Sequence, residues 1–131
     1  MTVVIDASAL FAAIIPGSPH SEWAWEICRT HDLVAPELLS VEMAQALRRT
    51  VRASVLREEE AAEALTRTTA LVTQYFPHTP LLRSIWQMRD NLSAYDAAYA
   101  SLASRLEIPL VTLDRGLARG ASDTCEVWFR D

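Results

Sequence analysis

Short apolar runs alternate with longer segments of helical periodicity along this chain of 131 residues. The run at residues 3–5 is unbroken, as in a strand that is buried on both faces of a parallel sheet, and residues 33–35 and 109–113 predict two more strands. A further run at residues 125–129 predicts a last strand. Strands alternating with helices indicate an α/β fold with a mainly parallel central sheet, and the length favours a single domain over residues 1–131.

The segments between the strands carry apolar residues three to four positions apart, which is the spacing of one helix face. This spacing predicts helices over residues 7–15, 21–31, 36–53, 57–75 and 93–106, a helix that begins at Pro80, and a short helix around Leu117. Pro36 suits the first turn of the third helix. In the segment 57–75, the predicted inward stripe consists of Ala62, Leu65, Thr69 and Val72.

The composition excludes several function classes. All 12 basic residues are arginine, 17 residues are acidic, the formal net charge is −5, and there are only three glycines. A P-loop and a dinucleotide-binding turn both need closely spaced glycines, and a P-loop or a Schiff base needs lysine. The negative charge argues against broad electrostatic binding of nucleic acid, but not against nucleic acid that is reached through bound metal ions.

The two cysteines, Cys28 and Cys125, are far apart in the sequence and form no CxxC pattern. They predict neither a zinc site nor a disulfide scaffold, so a reducing compartment, the cytoplasm, is expected. The first cationic side chain is Arg29, and no apolar run approaches the roughly 20 residues that span a bilayer. We therefore expect no signal peptide and no membrane segment.

Two of the predicted strands are followed at once by an aspartate, Asp6 and Asp114. Because parallel strands end at the same edge of a sheet, where open α/β sheets bind ligands, these carboxylates are expected to share one crevice. Each acid also has a simpler interpretation. Asp6 and Asp114 could cap the helices that follow, Asp96 could belong to a capping box begun by Ser93, and Glu42 could be an exposed helical residue.

Together, the four acids favour a metal site. Clustered carboxylates repel one another unless something positive lies among them, and the chain has no lysine for that role. Mg²⁺ and Mn²⁺ prefer oxygen ligands and can activate water for attack on a phosphodiester. The pattern therefore predicts a metal-dependent hydrolysis or phosphotransfer site.

Three motifs and one further acid carry a resemblance to a known family. Residues 3–10 (VVIDASAL) resemble the opening of a PIN domain, residues 93–100 (SAYDAAYA) its third acidic motif, and residues 109–114 (PLVTLD) its closing T-x-D motif. Glu42 stands where the second acid of the family belongs. The motifs occur in the family order over nearly the whole chain, and the combination resembles the VapC-like toxins of type II toxin–antitoxin pairs.

The resemblance implies a three-layer PIN-like fold, with a central, mainly parallel sheet flanked by helices. It implies a Mg²⁺- or Mn²⁺-dependent endoribonuclease that acts on RNA, forms a homodimer and is inhibited by a VapB-like antitoxin in the active-site groove. Carried over by position, the residues of the metal and catalytic site are Asp6, Glu42, Asp96 and Asp114.

Supporting roles are predicted for four more residues. Ser8 and Thr112 could orient carboxylates or water from behind the metal ligands, or form local hydrogen bonds to the backbone. Arg115 and Arg49 could contact RNA phosphates, or be ordinary surface residues. Arg49 lies two helical turns beyond Glu42, roughly 10 Å along the axis, whereas Arg48 points elsewhere.

Two other functions stay open at this point. One is a PIN-like module that has lost catalysis and only binds RNA or protein. The other is a metal-dependent phosphatase of the haloacid type, although Ser8 stands where that family has a second aspartate. Of the tryptophans, Trp23, Trp86 and Trp128 are expected in the core or a dimer interface, and Trp25 at the surface.

Overall fold

The structure is a computed structural model that describes residues 1–131. Five strands form one sheet: β1 (Thr2–Ile5), β2 (Asp32–Pro36), β3 (Val72–Phe76), β4 (Leu110–Thr112) and β5 (Val127–Phe129). The seven α-helices are α1 (Ala7–Ile14), α2 (Ser21–Thr30), α3 (Leu38–Arg52), α4 (Glu58–Leu71), α5 (Leu82–Gln87), α6 (Ala94–Leu106) and α7 (Arg115–Ala121). A single 3₁₀ turn over Thr79–Leu81 precedes α5. The predicted α/β fold with a parallel sheet is confirmed.

All strand pairs are parallel, in the order β3-β2-β1-β4-β5. The chain therefore builds one side of the sheet outward from β1 and then returns to build the other side from β4. Val4 pairs with Leu110 and Ile5 with Val111, so β1 and β4 end side by side. Such a reversal of strand order opens a crevice beyond the carboxyl ends of the two strands.

Two groups of helices flank the sheet: α1 contacts α2, α3 and α4, whereas α6 contacts α5 and α7. β1 is the centre of the hydrophobic core, and Val3, Val4 and Ile5 are completely buried. Helix α6 packs against β1, β2 and β4 through small residues, which lets its backbone lie close to the sheet. This close packing brings the start of α6 to the crevice.

The prediction of one helix over residues 57–75 is wrong at its end. Helix α4 stops at Leu71, and Val72–Phe76 forms the edge strand β3 beside β2. The inward stripe was also misplaced by one position: Ala61, Ala64 and Thr68 are buried, whereas the predicted Ala62, Leu65 and Thr69 are exposed. Small residues let α4 pack closely on α3, and the β-branched and aromatic composition of residues 72–76 favours a strand.

Smaller differences concern Pro36 and Trp86. Pro36 is the last residue of β2, and α3 begins at Leu38. Trp86 is 67% exposed and so does not belong to the core, whereas Trp23 and Trp128 are half-buried and Trp25 is exposed, as expected. None of the helices combines the length and the apolar character needed to cross a bilayer.

Candidate active site

Asp6 and Asp114 lie where β1 and β4 end, and each is the N-cap of the next helix. Oδ1 of Asp6 accepts a hydrogen bond from the Ala9 amide at 3.0 Å, and Oδ1 of Asp114 accepts one from the Leu117 amide at 3.0 Å. The simpler capping interpretation is therefore correct for both residues. It does not compete with a metal-binding role, because a carboxylate has about four lone-pair sites and the cap bond uses one of them.

Two hydroxyl groups bind the carboxylate of Asp6. Ser8 donates to Oδ1 at 2.7 Å, and Thr112 donates to Oδ2 at 2.6 Å. The same hydroxyls accept from the backbone after β4: Ser8 from Leu113 N at 2.9 Å, and Thr112 from Asp114 N at 2.9 Å. Ser8 and Thr112 thus both orient the acid and bind the backbone, and they join the ends of β1 and β4.

Burial dominates the electrostatics of Asp6, which is only 5% exposed. Loss of hydration raises the pKa of this carboxyl from 3.8 to about 6. The bonds from Thr112, Ala9 and Ser8 oppose the rise, whereas the nearby charge of Asp114 adds to it. The carboxylate therefore carries an uncompensated cost of burial that an added cation would offset.

Asp96 and Glu42 approach the crevice on helices. Asp96 is in the first turn of α6, where its amide donates to the N-cap side chain of Ser93 at 3.2 Å. Its carboxylate is half-buried, and burial, followed by the charges of Asp114 and Glu42, raises its pKa. The charge of Asp114 thus acts on both Asp6 and Asp96, and the charge of Glu42 acts on Asp96.

Tyr99 is a residue of the site to which the sequence analysis gave no role. It is 1% exposed, and its hydroxyl donates to Oε1 of Glu42 at 2.5 Å. Burial and this bond raise its pKa, and the charges of Asp6 and Asp96 contribute as well, so the phenol stays protonated and remains a donor. A tyrosine three residues after Asp96 lies on the same helix face, a signal that could have identified it.

The donor set fits a hard divalent cation by its chemistry. The three ion pairs in the chain are Arg29–Glu26, Arg57–Glu60 and Arg115–Asp131, and none includes an acid of the crevice. The acids offer only oxygen donors, as Mg²⁺ and Mn²⁺ prefer. As they stand, however, no three Asp, Glu, His or Cys side chains are close enough together to hold an ion.

The two predicted phosphate contacts lie in different surroundings. Arg115 follows Asp114, but its guanidinium pairs with the side chain of Asp131. Arg49 lines a groove together with Glu42 and Ser8 and has no acidic partner. Arg48 lies on another face of α3, in a depression between α3 and α4. The structure thus brings Arg49 to the crevice and leaves Arg48 away from it.

Comparisons with known proteins agree with this architecture. The PIN domain family model matches residues 3–122. The chain is 35% identical over 125 residues to Ribonuclease VapC1 of Mycobacterium tuberculosis, which covers 95% of this chain and 94% of the relative. It is 30% identical over 122 residues to Ribonuclease VapC3 of Pyrobaculum aerophilum, covering 90% and 93% of the two chains.

Solved structures show the same fold. The crystal structure of PAE2754 from Pyrobaculum aerophilum superimposes with a TM-score of 0.71 at 25% identity, covering 96% of this chain and 83% of that one. A chain of VapBC2 from Rickettsia felis, bound to a DNA fragment from its promoter, superimposes with a TM-score of 0.72 at 12% identity over the full length of both chains. With its strand-end acids, its parallel sheet and relatives named VapC ribonucleases, the chain belongs to the PIN-domain family.

Proposed function

We propose that the protein is the toxin of a type II toxin–antitoxin pair and a divalent-metal-dependent endoribonuclease that hydrolyses RNA phosphodiester bonds. The observation that carries this proposal is the set of four acids without a cationic partner, at the strand-end crevice of a PIN domain. Sequence identity of 35% to a protein named Ribonuclease VapC1 supports the choice of RNA over other phosphodiesters.

Asp6, Glu42, Asp96 and Asp114 would hold Mg²⁺ or Mn²⁺, which supplies an activated water and stabilises the leaving oxygen. Within this site, Ser8 and Thr112 fix both oxygens of Asp6. Tyr99 occupies Oε1 of Glu42, so that Oε2 is the oxygen left for a ligand or a water. Asp114 keeps Oδ2 free because its cap bond uses Oδ1. Oε2 of Glu42 and Oδ2 of Asp114 are therefore the oxygens of these two residues that would face the metal ion or its water.

The decisive experiment measures cleavage of single-stranded RNA by the protein freed of any partner. We expect cleavage with Mg²⁺ or Mn²⁺ and none with excess chelator. Asp32 lies at the opposite end of the sheet, at the start of β2, and is exposed. Asp32→Asn is therefore a matched control that should cleave like the wild type. Undiminished cleavage in chelator would exclude the metal mechanism. RNA binding without cleavage in any metal would favour the inactive binding module instead.

We also propose that a VapB-like antitoxin inhibits the enzyme by placing an arginine or lysine among Asp6, Asp96 and Asp114. A pocket of carboxylates that suits a metal ion can also accept a cationic side chain through charge-assisted hydrogen bonds. Raising Mg²⁺ should then weaken antitoxin binding in titration calorimetry beyond the effect of matched monovalent salt. Equal affinity with and without Mg²⁺ at fixed ionic strength would mean that the antitoxin inhibits from outside the site.

Homodimer formation is the remaining part of the proposal. Four large apolar side chains on α3, α5 and α6 are more than half exposed, namely Val41, Leu82, Trp86 and Tyr95. Leu82 and Tyr95 line the same depression, and a contiguous exposed apolar patch marks an interaction surface. We expect a dimer in sedimentation velocity, and a monomer when Leu82 and Trp86 are replaced by Glu and Ser. A wild-type monomer at all concentrations would contradict the assignment.

A further inference from the structure

A groove between α1 and α3 opens directly from the acid crevice, and it has a volume of about 530 Å³. On one side it is lined by Ser8 and Phe11 of α1, and on the other by a stripe of α3 that contains Glu42, Gln45, Ala46 and Arg49. The stripe has the spacing i, i+3, i+4 and i+7 of one helix face, so the groove follows α3 for about two turns, roughly 10 Å.

We propose that this groove is a nucleotide subsite, which binds the nucleotide next to the scissile phosphate of single-stranded RNA. Its base would stack on Phe11, and its far phosphate would contact Arg49. The inference rests on the proposed ribonuclease function and extends it, because it states where the strand runs from the metal site and which side chains hold it.

The phosphate end of the subsite is assigned to Arg49. It is the only cationic residue that lines the groove, its side chain is exposed, and it forms no ion pair. A free guanidinium is a strong, bidentate ligand for phosphate oxygens. Because Arg49 is two helical turns from Glu42, it is placed for the phosphate next to the one at the metal site.

The base is assigned to the middle of the groove. Phe11 and Ala46 give it apolar surface on both helices, and Phe11 is only half-buried, so part of its ring is accessible. Stacking on an aromatic ring is the common way in which proteins hold an unpaired base. Gln45 adds an amide that can both donate and accept hydrogen bonds at a base edge. We therefore expect Gln45 to influence which base is preferred.

The same geometry favours a single strand over a duplex, since a base must leave its stack to enter a cleft between two helices. It also gives a chain with a net charge of −5 one phosphate contact beside the proposed metal site.

The first test compares two neighbouring arginines of α3. Arg49→Gln should lower kcat/KM on a single-stranded RNA by about tenfold, as expected for loss of a charge-assisted contact. It should also reduce the salt dependence of RNA binding by about one phosphate contact. Arg48→Gln removes the same charge from the face toward α4 and should match the wild type. Equal behaviour of the two variants would overturn the subsite.

The second test measures base stacking by fluorescence, in a bound RNA that is not cleaved during the measurement. RNA oligonucleotides with a single 2-aminopurine on either side of the cut site are bound to the full-length Asp96→Asn protein, which holds them uncut. Stacking on Phe11 should quench the fluorescence on one side only, and Phe11→Leu should restore it. Equal fluorescence at both positions, or quenching that persists in Phe11→Leu, would contradict the base assignment.

Failure of the subsite can be told from failure of the proposed function. If the wild type neither cleaves nor binds single-stranded RNA, the ribonuclease proposal fails and the subsite with it. If the wild type cleaves RNA while Arg49→Gln and Arg48→Gln are indistinguishable, the ribonuclease stands and the subsite is wrong.

Discussion

The carboxylates of Asp6 and Glu42 accept hydrogen bonds from side-chain hydroxyl groups. The carboxylates of Asp96 and Asp114 accept none from a side chain, and Asp114 accepts only the backbone bond that caps α7. We call the first two the held pair and the other two the open pair. The held pair lies at the end of the central strand and in the middle of α3. The open pair lies at the N-termini of α6 and α7, where Asp114 is exposed and Asp96 is half-buried.

The hydroxyl donors hold Asp6 and Glu42 in one orientation, whereas no side-chain donor orients the carboxylates of Asp96 and Asp114. A bound cation would draw the open pair inward against the held pair. The contrast therefore indicates a site that is half pre-organised and half adjustable, and the following four predictions test it.

The largest effect is expected on catalysis, where the two pairs should be equally necessary. Asp6→Asn and Asp96→Asn should each lower the RNA cleavage rate by more than about 100-fold, because loss of a ligand exceeds the typical effect of a residue behind it. Single-turnover cleavage measures the rate, and circular dichroism confirms that the fold is kept. A loss confined to Asp6→Asn would show that the open pair does not bind the metal.

The two pairs should differ most in stability. The folded pKa of Asp6, about 6, is above its ordinary value of 3.8. Its contribution to the free energy of unfolding is therefore fully present below about pH 4 and is lost as the pH rises through 6. The difference corresponds to about 3 kcal/mol. In the metal-free protein at pH 8, Asp6→Asn should raise the free energy of unfolding by up to that amount. Asp114 is exposed, so Asp114→Asn should change the free energy of unfolding by less than about 0.5 kcal/mol.

Urea unfolding of the metal-free protein between pH 4 and pH 8 measures this effect. The wild type should lose stability across pH 4–6 more steeply than Asp6→Asn, and Mn²⁺ should reduce the difference by binding the ionised form. Parallel pH profiles for the two proteins would mean that Asp6 is not the group that titrates.

A smaller effect is expected from Tyr99, which holds Glu42. Tyr99→Phe should weaken Mn²⁺ binding by about tenfold in titration calorimetry, in line with residues that orient metal ligands. Tyr75 provides the control, because its buried hydroxyl has no hydrogen-bond partner. Tyr75→Phe should leave Mn²⁺ affinity unchanged. If both variants bind Mn²⁺ like the wild type, Glu42 does not depend on Tyr99 for its position.

The smallest effect is expected from Ser8. Ser8→Ala removes one of two donors to Oδ1 of Asp6, since the Ala9 amide remains. It should lower the free energy of unfolding by about 1 kcal/mol. Both variants lose an acceptor for a backbone amide, Leu113 N for Ser8 and Asp114 N for Thr112. Thr112→Val also removes the only donor to Oδ2, so it should cost more. Thermal melting of both variants checks the order, and a larger loss for Ser8→Ala would contradict it.

The amino-acid sequence by itself determined the position of the crevice. An apolar run followed by aspartate predicts both a buried strand and a helix cap from a few adjacent residues, and parallel strands must end at one edge. Asp6 and Asp114 could therefore be assigned to one crevice from these local patterns alone. The motif around Asp96 was likewise readable because Ser93 caps α6 locally.

Only the tertiary structure decided how the two strand-end aspartates differ. They have the same local motif, yet one is buried beneath two hydroxyls and the other is exposed. The tertiary structure also decided that Tyr99 contacts Glu42, 57 positions away in the sequence. It decided as well that residues 72–76 form a strand beside β2 and do not extend α4. Periodicity and capping are encoded within a few neighbouring residues, whereas hydration and long-range hydrogen bonds depend on which elements pack together.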